Sequence, residues 1–419
     1  MVRLPSSILN QHINMTRAAS KKAGLKGSEG LIDAAAATKA LGVNRNTLYA
    51  YVSRGLVRSV PHPTAPKASL YSARDIQGLI ARKTRMRRPR AAAASALDFG
   101  LPVLKTSLTH FEDDRLFYRG EEAVAFARRA SLEDAARLLW ATRDADPFEG
   151  ASFDPRNIAG WVEIATNFAA PRATDRAVAL LSLLTATEAP TSGKPGQASF
   201  NAAAQLVLAM VAAVARINAP VKQPVHEAIA TAWRRPKAAS AIRQALVLVA
   251  DHELNASTFA VRVVASTGAG LTHCALAGLA ALSGPLHGAN TERVRALFAD
   301  AEASGDPYAT VAQRLQRGER IPGFGHGLYR EGDPRGAELL AMGRLDPVAE
   351  EILGATRALT GIEPNVDFGL LAIERRFDLP EGAALALFAM GRCVGWIAHA
   401  FEQRTSGSLI RPRAEFVLE

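Results

Sequence analysis

"SGPLHGANTERV", residues 283–294, places a histidine between a Gly-Pro turn and a glycine. The chain around it is rich in alanine and leucine at helical spacing. A titratable side chain where the backbone turns has two readings. It packs as an ordinary core histidine, or a substrate carbonyl comes very close to it. Glycines on both sides leave room for the second.

Outward from this turn the pattern is helical. "LEDAARLLWAT", "DRAVALLSLLTAT", "FNAAAQLVLAMVAAVARI", "AASAIRQALVLVADHE" and "EGAALALFAMGRCVGWIAHAFEQRT" each repeat apolar residues at i, i+3, i+4 and i+7. Strand signals are scarce, with "RLFYRGEEA" reading as a short hairpin arm. A length of 419 residues exceeds one ordinary core, so two or three domains are expected. A hydrophobic fraction of 48% suffices for a large core. Aromatics make up only 6%, so abundant alanine favours closely packed helices.

Several function classes find no support. No run of about 18 apolar residues lacks charged or polar interruption, which argues against a transmembrane helix. Cys274 and Cys393 fall in apolar helical stretches and read as free thiols of a cytoplasmic protein. No GxGxxG follows a strand, no P-loop is present, and no His/Cys spacing suits zinc. A dinucleotide enzyme, a nucleotide hydrolase and a zinc hydrolase are therefore disfavoured.

The net charge of +10 is uneven. Residues 1–90 hold seventeen Lys/Arg against three Asp/Glu, a balance of +14, while the remainder stands at −4. Residues 1–29 read as a flexible basic leader without the apolar core of a signal peptide. Residues 30–60, "GLIDAAAATKALGVNRNTLYAYVSRGLVRSV", read as two short helices. Asp33 caps the first, whose Ala37, Ala40 and Leu41 face inward, and Gly42 breaks it. Asn44 caps the second, which stops at Gly55. Leu48 and Val52 would face the first helix, leaving Arg45, Asn46, Tyr49 and Arg54 outward. A Pro-rich segment then suggests a wing, and "ARDIQGLIARK" a third helix. "RKTRMRRPR" (82–90) adds six positive charges able to neutralise phosphates. This domain, 30–90, has a helix-turn-helix pattern. "NTLYAYVSRGLV" followed by "LYSARDI" resembles the mercury-resistance-regulator and excisionase type. That resemblance implies DNA as a partner. A helical module that packs on the body or aids assembly is the alternative.

In the body, the glycine-rich turns and helix ends carry polar groups. "DHELNASTF" holds His252, "GPLHGAN" His287, "PGFGHGLYREGDPRG" His326 and Arg335, and "EPNVDFGLL" Asp367. "MGRCVGWIAH" adds Arg392 and "LIRPR" adds Arg411. Singly, each has an ordinary structural reading. Asp367 could cap a helix, and Arg392 could be a buried ion-pair member. Together they suit a small anion with more than one carboxylate. Arginine forks bind carboxylates bidentately. Neutral histidines donate to a carbonyl oxygen without adding a charge. An aspartate can remove a proton next to a carbonyl.

These motifs, in this order, resemble citrate synthase. "DHELNASTF", "GPLHG", "GFGH-x-x-Y-x-x-x-DPR" and "NVDF" carry the resemblance over residues 97–419, with "YRG" (118–120) similar to the family's N-terminal part. It implies an all-α fold with a large domain (97–287 and 374–419) and a small domain (288–373) that close over the substrates. It implies that Asp367 deprotonates acetyl-CoA, His287 stabilises the enol, and His326 polarises the ketone of oxaloacetate. His252, Arg335 and Arg392 would hold oxaloacetate. Arg411 would reach in from the other subunit of a homodimer. No cofactor, metal or membrane is implied; acetyl-CoA is a substrate.

The sequence also departs from the family pattern. Ala289 stands where the family has a second glycine after His287, and activity suffers if that position needs φ > 0 or a tight approach to the thioester. Gly327 and Gly336 stand where Pro or Val, and Ala or Tyr, are expected. No proposed chemical group is missing. Three readings stay open: a citrate synthase, a 2-methylcitrate synthase using propionyl-CoA, and a DNA-binding regulator whose body senses oxaloacetate or acyl-CoA.

Overall fold

The computed structural model describes residues 31–53, 56–62, 65, 68–86 (81–86 by backbone), 103–142, 146–168, 172–188 and 194–414. The leader expected at 1–29, Arg54 and residues 87–90 of the basic run lie outside them. The chain forms two compact units, Met1–Leu104 and Lys105–Glu419.

In the first unit the order is β1 (Leu31–Asp33), α1 (Ala34–Leu41), α2 (Arg45–Ser53), β2 (Ser59–Pro61), β3 (Ser69–Ser72) and α3 (Ala73–Met86). Asp33 accepts the Ala36 N–H at 2.7 Å and so caps α1. Gly42 ends α1 in the left-handed region at φ 61. Asn44 accepts the Thr47 N–H at 2.9 Å at the start of α2. Ala37, Leu41 and Leu48 join Val57, Tyr71 and Ile76 in a small core, with Ala40 and Val52 at its margin. Strand β3 pairs antiparallel with both β1 and β2. The sequence reading anticipates a strand-like run at β3 and passes over β1, because Leu31–Asp33 is too short to show alternation.

The second unit is mostly helical, as the periodicity predicts. It opens with β4 (Thr109–Glu112), β5 (Arg115–Tyr118) and β6 (Glu121–Glu122), an antiparallel sheet in that order. The β4–β5 turn is Asp113–Asp114, both at positive φ (47 and 59), the primed geometry that a two-residue hairpin requires. Next come α4 (Ala123–Arg129), α5 (Leu132–Trp140), β7 (Ser152–Phe153), α6 (Trp161–Asn167), α7 (Ala173–Ser182) and α8 (Gln197–Ala215). Strand β8 (Val221–Lys222), which pairs with β7, leads to α9 (Val225–Ala232) and α10 (Ala239–Leu248). Then follow α11 (Ala256–Ser266), α12 (Leu271–Leu282), α13 (Asn290–Ser304) and α14 (Pro307–Gln316). The last four are α15 (Pro334–Leu340), α16 (Pro347–Thr360), α17 (Val366–Arg376) and α18 (Ala383–Ser406).

Helix α18 is the axis of the main core and is buried along nearly its whole length. Its glycines explain the depth. A Cβ on Gly391 would lie 2.4 Å from the Leu246 carbonyl oxygen, and one on Gly395 would lie 2.2 Å from that of Ala250. A Cβ on Gly278 of α12 would strike the Trp396 indole at 2.6 Å. Small residues thus let three helices approach more closely than side chains permit. A second apolar cluster gathers Val294, Leu297, Phe298, Val311, Ile352 and Phe368.

Helices α8 and α18 have the length and mean hydropathy of membrane spans, 1.8 and 1.4, which a search for uninterrupted apolar runs passes over. The apolar window of α18 is 100% buried inside the protein, so its apolarity is used in packing. Cys274 and Cys393 are buried and unbridged, and burial pushes their thiols up to about 11 and about 12.

The substitution Gly395→Val tests this packing. It is expected to destabilise the body by about 1–3 kcal/mol or more, because the Ala250 carbonyl has nowhere to retreat. Urea unfolding with an unchanged midpoint would refute the close approach.

Candidate active site

The site grows from the corner at residues 246–252, between α10 and α11. Tyr118, at the end of β5, has its hydroxyl 3.0 and 3.1 Å from the Val247 and Leu248 carbonyls. Arg392 of α18 donates from Nε to the Val249 carbonyl at 2.6 Å. The Arg392 side chain is fully buried, and neither Nη1 nor Nη2 has a partner. The Phe388 ring, one turn earlier, lies 4.8 Å from its guanidinium. Burial draws Arg392 down to about 10, so it is still charged at neutral pH.

His252 follows the corner. Its Nε2 is 2.9 Å from the Tyr329 hydroxyl, and the rings of Phe111 and His326 stand edge-on to it, each at 5.0 Å. Burial, then Arg335, hold His252 well below its ordinary pKa, so it is neutral.

The "GFGH" and "EPNVD" segments are zipped side by side. Asn365 N–H donates to Gly323 at 2.8 Å, Gly325 N–H to Glu363 at 2.9 Å, and Asn365 Nδ2 to Gly325 at 3.1 Å. Gly323 and Gly325 sit at φ 82 and 76, where side chains are strained. This pairing brings His326 beside the start of α17. His326 Nδ1 accepts the Leu328 N–H at 3.1 Å, which leaves the ring proton on Nε2. Burial, then Arg335, lower His326 to about 4. Arg335 is clasped by Asp333 through Nε at 2.9 Å and Nη2 at 2.8 Å. Asp333 also accepts the Val366 N–H at 3.0 Å, tying α15 to α17. Gly336 serves that contact, since a Cβ there would lie 2.5 Å from the Asn365 carbonyl oxygen.

The opening turn, 283–289, joins α12 to α13. A Cβ on Gly288 would meet Leu282 Cδ1 at 2.3 Å, so only glycine fits. Ala289 has φ −68 and is buried. The backbone cost anticipated for alanine at this position is absent, because φ there is negative. His287 Nε2 is 2.8 Å from Ser257 Oγ, which also accepts the Trp396 indole N–H at 3.2 Å. If the Ser257 proton goes to His287 rather than to Asn255 Oδ1 at 2.9 Å, the imidazole proton sits on Nδ1. Burial, then Arg392, lower His287 to about 4. Its ring meets Phe388 edge-on at 6.0 Å.

Asp367 lies in the first turn of α17, with its N–H on Asn365 Oδ1 at 3.0 Å. Asn290, three residues after His287, donates to its carboxylate at 2.7 Å. Burial raises Asp367 to about 6, against the pull of Asn290 and Arg335. The carboxyl is therefore both ionised at neutral pH and basic enough to take a proton.

His252, Arg335 and Arg392, buried, and His287, His326 and Asp367, half-buried, thus share one region. Arg411 does not join them. It lies exposed beyond α18, where the Ile410 N–H bonds Ser266 Oγ at 3.1 Å. Sequence reasoning assigned no role to Asn290, Ser257, Tyr329 or Asp333. All four stand inside the quoted motifs, but a short polar residue near a glycine gives no sign of its distant partner.

A family model described as citrate synthase, C-terminal domain, matches residues 98–413. The chain belongs to the citrate synthase family. It is 31% identical over 357 residues to citrate synthase 2 of Bacillus subtilis, covering 76% of this chain and 94% of that one. A putative citrate synthase 2 of Mycobacterium tuberculosis is 38% identical over 194 residues, 43% of this chain and 52% of the relative, so the chain spans about half the length of the mycobacterial relatives it matches. The citrate synthase of Thermoplasma acidophilum, solved as a ternary complex with carboxymethyl coenzyme A and oxaloacetate, superposes with a TM-score of 0.66 at 25% identity. That match covers 78% of this chain and 96% of the Thermoplasma one. The first 97 residues lie outside the family match.

Two substitutions at the turn separate its requirements. Gly288→Ala is expected to lower the thermal midpoint clearly, since Leu282 blocks the new methyl. Ala289→Gly should cost about 1 kcal/mol or less, the usual price of added chain freedom. Equal losses at both positions would contradict the geometry.

Proposed function

We propose that this protein is an acyltransferase that condenses acetyl-CoA with oxaloacetate and water to give citrate and CoA. The observation that carries this reading is the Asn290 bridge. One side chain links a carboxylate with a pKa near 6 to the turn bearing a neutral imidazole, beside a buried arginine with two unpartnered nitrogens. An α-proton of a thioester is weakly acidic. A carboxylate removes it only when the enol oxygen is stabilised in a dry, prearranged site.

In this reading Asp367 takes the methyl proton, and His287 donates from Nδ1 to the thioester oxygen with the Ser257 hydroxyl proton turned to its Nε2. The enol carbon attacks the ketone of oxaloacetate. His326, with its proton on Nε2, polarises that ketone and protonates the new alkoxide. Arg392 takes one carboxylate on its free nitrogens, and Arg335 and His252 help hold the rest. Water then cleaves citryl-CoA to citrate and CoA. The ligands of the Thermoplasma complex support this choice of substrates. The exposure of Arg411 fits a residue that reaches a partner's site in a homodimer. Propionyl-CoA would use the same groups, giving 2-methylcitrate.

A second reading concerns the first unit: it binds DNA. Arg45, Asn46 and Tyr49 lie exposed on α2, at spacings that share a face, in the strongly basic part of the chain. DNA affinity that changes with oxaloacetate would favour a sensing role for the body.

Free thiol release from acetyl-CoA should depend on oxaloacetate and fall at least about 100-fold in Asp367→Asn. Propionyl-CoA in parallel names the preferred donor, and no release with either donor removes the proposal. The acid limb of kcat should lie near pH 6, because activity needs ionised Asp367. Asn290→Ala removes a donor that favours the ionised form, so the limb should move to higher pH. For the first unit, duplex binding should weaken steeply with salt and drop in Arg45→Ala. Binding indifferent to both would leave a packing or assembly role.

A further inference from the structure

We propose that the buried Asp251–His399 pair is a positioning device for the oxaloacetate-holding half of the site: Asp251 gives Arg392 a counter-charge it does not touch, and so keeps its terminal nitrogens free. This rests on the condensation reading.

The two site arginines are treated oppositely. Arg335 has its fork filled by Asp333, in an ion pair buried on both sides. Arg392 is equally buried, yet among the described residues it makes no ion pair, and only its Nε is bonded, to a carbonyl. A buried guanidinium without a counter-charge is costly. A carboxylate in contact would restore the charge but occupy the donors that a substrate carboxylate needs.

Asp251 answers this from two residues beyond Val249. It is fully buried, and its carboxylate accepts the Thr109 hydroxyl. His399 Nε2 lies 3.2 and 3.3 Å from its two oxygens. Gly395, between Arg392 and His399 on α18, makes room: a Cβ there would stand 2.7 Å from Asp251 Oδ1. His399 Nδ1 is 3.4 Å from Arg262 Nη1. Arg262 is in turn held by Glu402 and, at 2.7 Å, by Gln403. Accepting from Arg262 on Nδ1 leaves the His399 proton on Nε2, aimed at Asp251.

Other charged and titratable groups face this pair. Arg335, Tyr118 and Tyr329 act on Arg392, and Glu253 lies beside Asp251. Asp251 is first among the groups that oppose the fall of Arg392 caused by burial. Burial opposes the ionisation of Asp251 in turn, but His399, Arg392 and Thr109 outweigh it and hold the carboxyl below its usual range.

The test compares Asp251→Asn, His399→Phe and His399→Gln in the full chain. Asp251→Asn and His399→Phe should raise the oxaloacetate KM about tenfold or more and leave the acyl-CoA KM within about twofold. In Asp251→Asn the alkaline limb of kcat/KM for oxaloacetate should move to lower pH. His399→Gln keeps a donor toward Asp251 and should recover most of the loss. A lower thermal midpoint with unchanged oxaloacetate KM and unchanged pH limb overturns the proposal, as does an equal rise in both KM values. Calorimetric titration of oxaloacetate makes the comparison without turnover. Unchanged affinity in Asp251→Asn and His399→Phe overturns the positioning role. A wild-type chain that binds oxaloacetate but releases no thiol overturns the condensation reading alone.

Discussion

The body depends on how closely α18 passes the 246–252 corner. Gly391 and Gly395 bring the helix backbone against the Leu246 and Ala250 carbonyls. With α18 that close, Arg392 reaches the Val249 carbonyl and His399 reaches Asp251. Trp396, on the same helix, reaches Ser257 and so steadies the partner of His287. A side chain at either glycine would lift the helix and separate all three contacts together.

Around that contact, charge is arranged in depth. Asp333 neutralises Arg335 by touching it. Asp251 acts on Arg392 without a hydrogen bond to it. The β4–β5 hairpin serves both, with Thr109 on Asp251, Phe111 edge-on to His252 and Tyr118 on the corner carbonyls. Thr109 and Phe111 are two apart on one strand and so share a face. Burial drives Asp367 up and the three histidines down. One desolvated region thereby holds a carboxyl that titrates near neutrality beside imidazoles without charge.

Much of this was legible in the sequence, because the signals were local. Helical periodicity announced α18 and α8, and Asp33, Gly42 and Asn44 announced the ends of α1 and α2. The six site side chains were named from glycine-rich motifs. Their partners were not: Asn290 and Asp367 lie 77 residues apart, Ser257 and Trp396 139. No period or cap connects such positions. Ala289 shows the converse. A departure from the family pattern looked costly for the backbone, and the observed φ of −68 removes that part of the cost.

The sequence by itself determined which chemical groups are present, where the chain turns, and which family it resembles, because turns, caps and periodicity depend on neighbours in the chain. Tertiary structure alone decided which arginine is already paired, which nitrogen of His326 carries the proton, and why the Asp367 carboxyl is raised to about 6. Those properties depend on burial and on charges from distant segments, and neither exists until the helices pack.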